Sequence, residues 1–266
     1  MSLLKEEKEP AVLLETMKTL AVEAGAMIMD IYRTDFAVDY KKDDSPLTMA
    51  NKKANAHIVS GLAKVRPDYA ILSEEMKDDK SRMENPFCFI VDPLDGTKEF
   101  VKRNGQFTVN IALAHNTRPI LGVIYVPVTG DLYYASKKEG AFLKSADKAA
   151  QKLHVSDKME HLTWVGSKSH STEKEQALIA AHKQCIAETI SAGSSLKGCM
   201  VADGRADVYY RFGLTSEWDT AAMQCIAEQA GAIVRQLDGT ELVYNRENTL
   251  NEKGFFIVNR PENIWV

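Results

Sequence analysis

A chain of 266 residues with 45% hydrophobic residues, 26% charged residues and a net charge of −4 can bury a substantial core. That balance excludes a polyanion-binding groove and a polybasic membrane anchor, so any phosphate recognition must come from local Lys and Arg groups, helix N-termini or metal ions. No apolar run approaches the roughly 20 residues of a bilayer span, Met1–Pro10 lacks the apolar stretch of a secretion signal, and the scattered Cys88, Cys185, Cys199 and Cys225 point to reduced thiols in a cytoplasmic setting.

Residues 12–32 place Leu13, Met17, Leu20, Ala24, Met27, Ile28 and Ile31 on one face at helical spacing, and a second helix is predicted from Met49 to Lys64. Short β-type runs follow at Ala70–Leu72, Phe87–Val91, Thr108–Ala114, Leu121–Val126 and Leu132–Ala135, with a hairpin turn at Pro127–Asp131. After about residue 148 strands and helices alternate. Strands are expected at Leu162–Val165, Thr189–Ala192, Val208–Phe212, Ile233–Arg235 and Phe255–Val258, and helices at Thr172–Gln184, Ser194–Ala202 and Asp219–Ala230. The pattern reads as two tightly packed halves, an α+β half over 1–148 and an α/β half over 149–266.

Three acidic clusters sit where these elements begin or end. In Phe89-Ile90-Val91-Asp92-Pro93-Leu94-Asp95-Gly96-Thr97 an apolar strand runs into two carboxylates three residues apart, with Pro93 to stiffen a turn and Gly96 to let the backbone curl close to a ligand. Ile71-Leu72-Ser73-Glu74-Glu75 ends another strand in carboxylates, and Asp219 opens an apolar helix in Glu217-Trp218-Asp219-Thr220-Ala221-Ala222. Taken singly these read equally well as a surface turn, a solvated charge pair and a helix cap. Taken together they supply the hard oxygen ligands that suit Mg²⁺, and two such ions can polarise a phosphate and activate water against it.

Those same three motifs, in this order, resemble the inositol monophosphatase superfamily of metal-dependent, lithium-sensitive phosphatases over nearly the whole chain. Thr97-Lys98-Glu99-Phe100, the run Arg103–Leu113, Ser167-Lys168-Ser169-His170, Gly193-Ser194-Ser195-Leu196-Lys197 and Tyr210-Arg211-Phe212-Gly213 are similar to its bisphosphate nucleotidase branch. The resemblance implies a layered αβαβα sandwich of the inositol monophosphatase and fructose-1,6-bisphosphatase type, with the metal site between its halves. It implies that Glu74, Asp92 and the Leu94 carbonyl hold one Mg²⁺ and that Asp92, Asp95 and Asp219 hold a second, with Glu75 behind them or assisting a third, weaker ion. Glu74 and Thr97 would position water, Gly96 and Thr97 would contact the scissile phosphate, and Ser194, Ser195, Lys197, Arg211 and His170 would meet the nucleotide and its other phosphate.

The reaction so implied is removal of the 3'-phosphate of adenosine 3',5'-bisphosphate to give AMP, with the sulfonated nucleotide as a second substrate and a link to sulfate assimilation. The expected partner is thus a small nucleotide bisphosphate, not a nucleic acid polymer, and attachment to the inner face of a membrane is open. One position departs from the pattern. In Asp43-Asp44-Ser45-Pro46-Leu47-Thr48-Met49-Ala50-Asn51 the last residue is normally an Asp that pairs with the residue matching Thr97 to deprotonate the water. An amide can orient but cannot act as a base near neutral pH. The alternatives are therefore an inositol or sugar monophosphatase on the same fold, and a nucleotide-binding form weakened by Asn51.

Overall fold

The computed structural model describes residues 3–34, 38–40, 46–167 and 171–266. Helix α1 (Leu3–Tyr32) and helix α2 (Met49–Val65) lie side by side, with a small two-stranded ribbon, β1 (Val38–Tyr40) and β2 (Pro46–Thr48), between them in sequence. A seven-stranded sheet follows, of strands β3 (Ala70–Ser73), β4 (Phe87–Asp95), β5 (Thr108–His115), β6 (Arg118–Val126), β7 (Asp131–Ser136), β8 (Gly140–Lys144) and β9 (Gln151–Lys152), in that spatial order. It is antiparallel except at its edge, where β3 runs parallel to β4. A short helix, α3 (Thr97–Val101), which the periodicity did not reveal, closes the turn after β4.

The second sheet has five strands: β10 (Leu162–Ser167), β11 (Ile186–Ala192), β12 (Val208–Arg211), β13 (Ile233–Gln236) and β14 (Phe255–Val258), ordered β11-β10-β12-β14-β13. Helices α4 (Glu173–Ala181), α5 (Leu196–Ala202) and α6 (Glu217–Gln229) alternate with these strands along the chain. The predicted helix over 172–184 ends three residues early at Ala181, and β11 begins at Ile186.

Both sheets are covered on both faces, and the strands show it. In β5, Val109, Ile111 and Leu113 pack against α1 and α2, whereas Ala112 and Ala114 face the core shared with α5 and α6. In β14, Phe255 and Ile257 join that shared core, and Phe256 and Val258 pack on the outer side with Leu178 and Ile179 of α4. The layers therefore read helix, sheet, helix, sheet, helix. Helix α6 is buried nearly all round because it lies between two sheets. It approaches β6 so closely that a Cβ on Gly122 would lie 2.7 Å from the Ala222 carbonyl. Among the described residues, no helix is long and apolar enough to cross a membrane.

Candidate active site

The acidic pair of β4 is presented by a bulge. Asp92 is opposite Asn110 and Asp95 is opposite Thr108, so three residues of β4 span the two that β5 advances. In a regular strand, residues three apart point to opposite faces; the extra residue returns Asp95 to the face of Asp92. Pro93, which has no N–H to offer the ladder, occupies the bulge. The carboxylates thus sit within the strand, not on the turn beyond it that the sequence suggested. That face is the one Cys88 and Ile90 turn towards α6, whose first turn carries Asp219. One oxygen from each of Asp92, Asp95 and Asp219 lies within 4.8 Å of the others.

Among the described residues, hydrogen bonds fall on a single oxygen of each carboxylate. Asp92 Oδ1 accepts the Leu94 amide at 3.0 Å. Asp95 Oδ2 accepts the Ser195 amide at 2.7 Å and Asn110 Nδ2 at 3.2 Å, and the Ser195 hydroxyl at 2.8 Å. Asp219 Oδ2 accepts the Ser216 amide at 2.6 Å, an N-terminal cap that also fixes the side chain.

Burial and mutual repulsion disfavour the charged forms. Asp92 is 1% exposed, and desolvation, followed by the charges of Glu74, Asp95 and Asp219, raises its pKa well above the carboxylate range. Asp219 is pushed up to about 8, first by desolvation and then by Asp95. Among the described residues no Lys or Arg forms an ion pair with Asp92, Asp95 or Asp219. Clustered carboxylates with no ion-pair partner among the described residues fit a hard divalent cation, which binds oxygen donors and removes that repulsion.

Glu74 follows β3, its amide donating to the Val91 carbonyl at 3.2 Å, and lines the same cleft as the three aspartates. Asn51, on α2, is 1% exposed and donates from Nδ2 to Glu75 Oε1 at 2.9 Å. The Thr97 hydroxyl, which the family resemblance pairs with residue 51, donates to the Leu94 carbonyl at 3.3 Å. Gly96, at φ +89°, lets the backbone turn where a Cβ would crowd the Gln106 carbonyl and Ser194.

The cleft, about 240 Å³, is walled on its far side by residues of the second half. Lys197 is buried rather than solvent-facing, and its Nζ donates to the Ser194 carbonyl at 2.6 Å. Desolvation lowers its pKa to about 8, with Asp95 opposing. Arg211, at the end of β12, also lines the cleft and reaches the Leu214 carbonyl at 3.3 Å. Ser194 adopts φ +47° and shares a hydrogen bond of 2.9 Å with Thr108. Ser195, expected to meet substrate, lines the cleft and directs its amide and hydroxyl to Asp95. His170 lies outside the described residues.

Several positions escaped sequence reading. Thr108 and Asn110 alternate on β5 and brace Asp95, a role that only the β4–β5 register exposes. Gln106 accepts the Gly193 amide at 3.0 Å and ties the loop after α3 to the start of the Ser194 turn. Glu217, wholly buried, secures the start of α6.

The inositol monophosphatase family model matches residues 9–263. The 3'(2'),5'-bisphosphate nucleotidase CysQ of Salmonella typhimurium is 43% identical over 245 residues, covering 90% of this chain and 97% of that protein. The Escherichia coli K12 protein of the same name is 42% identical over the same span. Among solved structures, CysQ from Bacteroides thetaiotaomicron superposes with a TM-score of 0.83 at 40% identity, covering 94% of this chain and 98% of that one. The Thermotoga maritima IMPase does so with a TM-score of 0.78 at 25% identity, covering 92% and 91%. With the layered fold and the acidic cleft alike accounted for, this chain belongs to the inositol monophosphatase family.

Proposed function

We propose that the chain is a phosphoric monoester hydrolase that removes the 3'-phosphate of adenosine 3',5'-bisphosphate, giving AMP and phosphate, with the sulfonated nucleotide as a second substrate. This reading places it in sulfur assimilation. The observation that carries it is the opposition of two charges in one cleft: a trio of carboxylates, Asp92 among them buried, on one wall and buried Lys197 with Arg211 on the other. A nucleotide with two phosphates needs both, one wall to hold cations against the phosphate that leaves and one to hold the phosphate that stays. The relatives named as bisphosphate nucleotidases, alike over nearly the full length, support the choice of substrate.

In this reading the bound cations are two or three Mg²⁺, held by Glu74, Asp92, the Leu94 carbonyl, Asp95 and Asp219. When bound they neutralise phosphate charge and acidify the attacking water. The chain's own groups do the rest. Ser195 and Asn110 fix Asp95 so that one oxygen faces the cleft. Thr97, at the start of α3, offers its hydroxyl to orient water, and Gly96 leaves room for a phosphate oxygen. Asn51 keeps Glu75 in place through its amide, a role that lacks the basicity of a carboxylate.

The test is phosphate release from adenosine 3',5'-bisphosphate and from inositol 1-phosphate, each with Mg²⁺. Preference for the bisphosphate is expected; preference for the inositol ester would reassign the chain to a monophosphatase, and nucleotide binding without turnover would mark a disabled form.

A further inference from the structure

A buried hydrogen-bonded chain lies behind the carboxylate site and connects the two segments that meet there. Glu217, two residues before Asp219, is fully buried. Its Oε2 accepts the Asn245 amide at 2.7 Å, and its Oε1 accepts the Arg246 amide at 2.9 Å and Arg246 Nε at 3.2 Å. Asn245 holds a left-handed backbone at φ +59° and exchanges hydrogen bonds with Arg82: Oδ1 accepts Arg82 Nη1 at 2.8 Å, and Nδ2 donates to the Arg82 carbonyl at 3.1 Å. Arg82, 4% exposed, also donates to the Arg246 carbonyl at 2.7 Å and grips Asp78 through Nε at 3.0 Å and Nη2 at 2.9 Å. Lys80 adds a bond to the Glu247 carbonyl.

The loop that leaves Glu74 is thereby fastened, through Arg82, Asn245 and Glu217, to the first turn of the helix that carries Asp219. None of the three lines the cleft. Ionised and without a cation, the clustered carboxylates would repel one another across the gap between β4 and the start of α6. Buried ionic networks of this sort stabilise weakly for their desolvation cost, and their attested use is to specify position.

We propose that Arg82, Asn245 and Glu217 are positioning residues that hold Asp219 against that repulsion and so set the affinity for divalent cations. The proposal rests on the metal-site reading given above. It is tested with Asn245→Gly, which keeps the left-handed backbone and removes only the amide, and with Arg82→Met. The primary measurement is the Mg²⁺ concentration that gives half of the full thermal stabilisation of the substrate-free protein. The second is kcat for adenosine 3',5'-bisphosphate at saturating Mg²⁺.

Loss of a group that orients a ligand costs about 10- to 100-fold in metal affinity, so the Mg²⁺ midpoint is expected to rise about tenfold in both variants. Saturating Mg²⁺ should bring kcat back to within about twofold of the parent, because the ions then hold the site themselves. An unchanged Mg²⁺ midpoint overturns the proposal, even where the metal-free melting temperature falls, since a brace of the fold alone would act that way. Should Arg82→Met fail to fold, the milder Asn245→Gly decides. A parent chain that Mg²⁺ does not stabilise at all would instead overturn the metal-site reading, and this inference with it.

Discussion

Ser195 gives both of its donors to one atom: its backbone amide lies 2.7 Å and its hydroxyl 2.8 Å from Asp95 Oδ2. The hydroxyl also lies 2.9 Å from the Asp219 carbonyl and accepts Asn110 Nδ2 at 2.9 Å. One side chain of the second half therefore fastens the bulged strand of the first half to α6.

Removing that hydroxyl tests the arrangement. Ser195→Ala keeps the amide bond to Asp95 and removes the hydroxyl that bridges Asp95, Asn110 and the Asp219 carbonyl. The expected cost is about 1–3 kcal/mol of stability, read from denaturant unfolding. Divalent affinity should fall about tenfold, read from the Mg²⁺ dependence of melting. Retention of both would show that Asp95 does not need the Ser195 hydroxyl.

The buried carboxylates predict how stability varies with pH once divalent ions are chelated. Asp219 has a folded-state pKa of about 8 against an ordinary 3.8. Between those values the folded chain keeps a proton that the unfolded chain has lost, so this contribution is full below the unfolded value and is lost as pH rises through the folded one. Asp92 shifts in the same direction. Asp78 and Asp238, lowered to about 2 by Arg82 and Lys253 respectively, act oppositely but only in more acid solution. The melting temperature of the chelator-treated chain should therefore fall between about pH 5 and about pH 8, and Asp219→Asn should flatten the fall. Mg²⁺ should stabilise more strongly as pH rises, because it binds the ionised forms. A flat profile in the parent would mean that these groups are already ionised without metal.

Much of this site was legible because its acidic residues sit at strand ends and a helix start, where local patterns are strong. Phe89-Ile90-Val91 marked β4, and the apolar run after Asp219 marked α6. The bulge was not legible. Asp-Pro-Leu-Asp-Gly has turn composition, and only pairing with β5, which sets Asp92 against Asn110 and Asp95 against Thr108, reveals the extra residue in the strand. The brace from Ser195 was hidden for a related reason, since its partner, Asp95, is a hundred residues away in the sequence. Glu217 and Arg82 gave no signal because buried ion networks have no sequence period. Helix α3, at five residues, is too short to show one.

Asn51 can be probed by restoring a carboxylate. Its Nδ2 donates to Glu75 at 2.9 Å in a site 1% exposed. In Asn51→Asp that donor is gone and two carboxylates face each other in a buried setting, so the metal-free melting temperature should fall. Mg²⁺ should reverse the loss. A positioned base contributes typically about 10²–10⁴-fold, so kcat at saturating Mg²⁺ is expected to rise at least about tenfold with KM for substrate little changed. A kcat that stays level would show that the amide already suffices.

Lys197 separates the bisphosphate reading from the monophosphate one. Its ammonium is buried, bonds the Ser194 carbonyl at 2.6 Å and has a pKa lowered to about 8 by desolvation. A charged hydrogen bond to phosphate is worth about 1.5–3 kcal/mol, so Lys197→Met should lower kcat/KM for adenosine 3',5'-bisphosphate by roughly 10- to 100-fold. The loss should be smaller for inositol 1-phosphate, which has no second phosphate to hold. In the parent chain the lysine loses its charge above about pH 8, and KM for the bisphosphate should climb there. A bound phosphate restores the charge, so kcat, which reports the complex, should not follow. Lys197→Arg, charged throughout, should abolish the climb in KM; a climb that persists in that variant would assign the pH dependence to another group and remove Lys197 from the phosphate site.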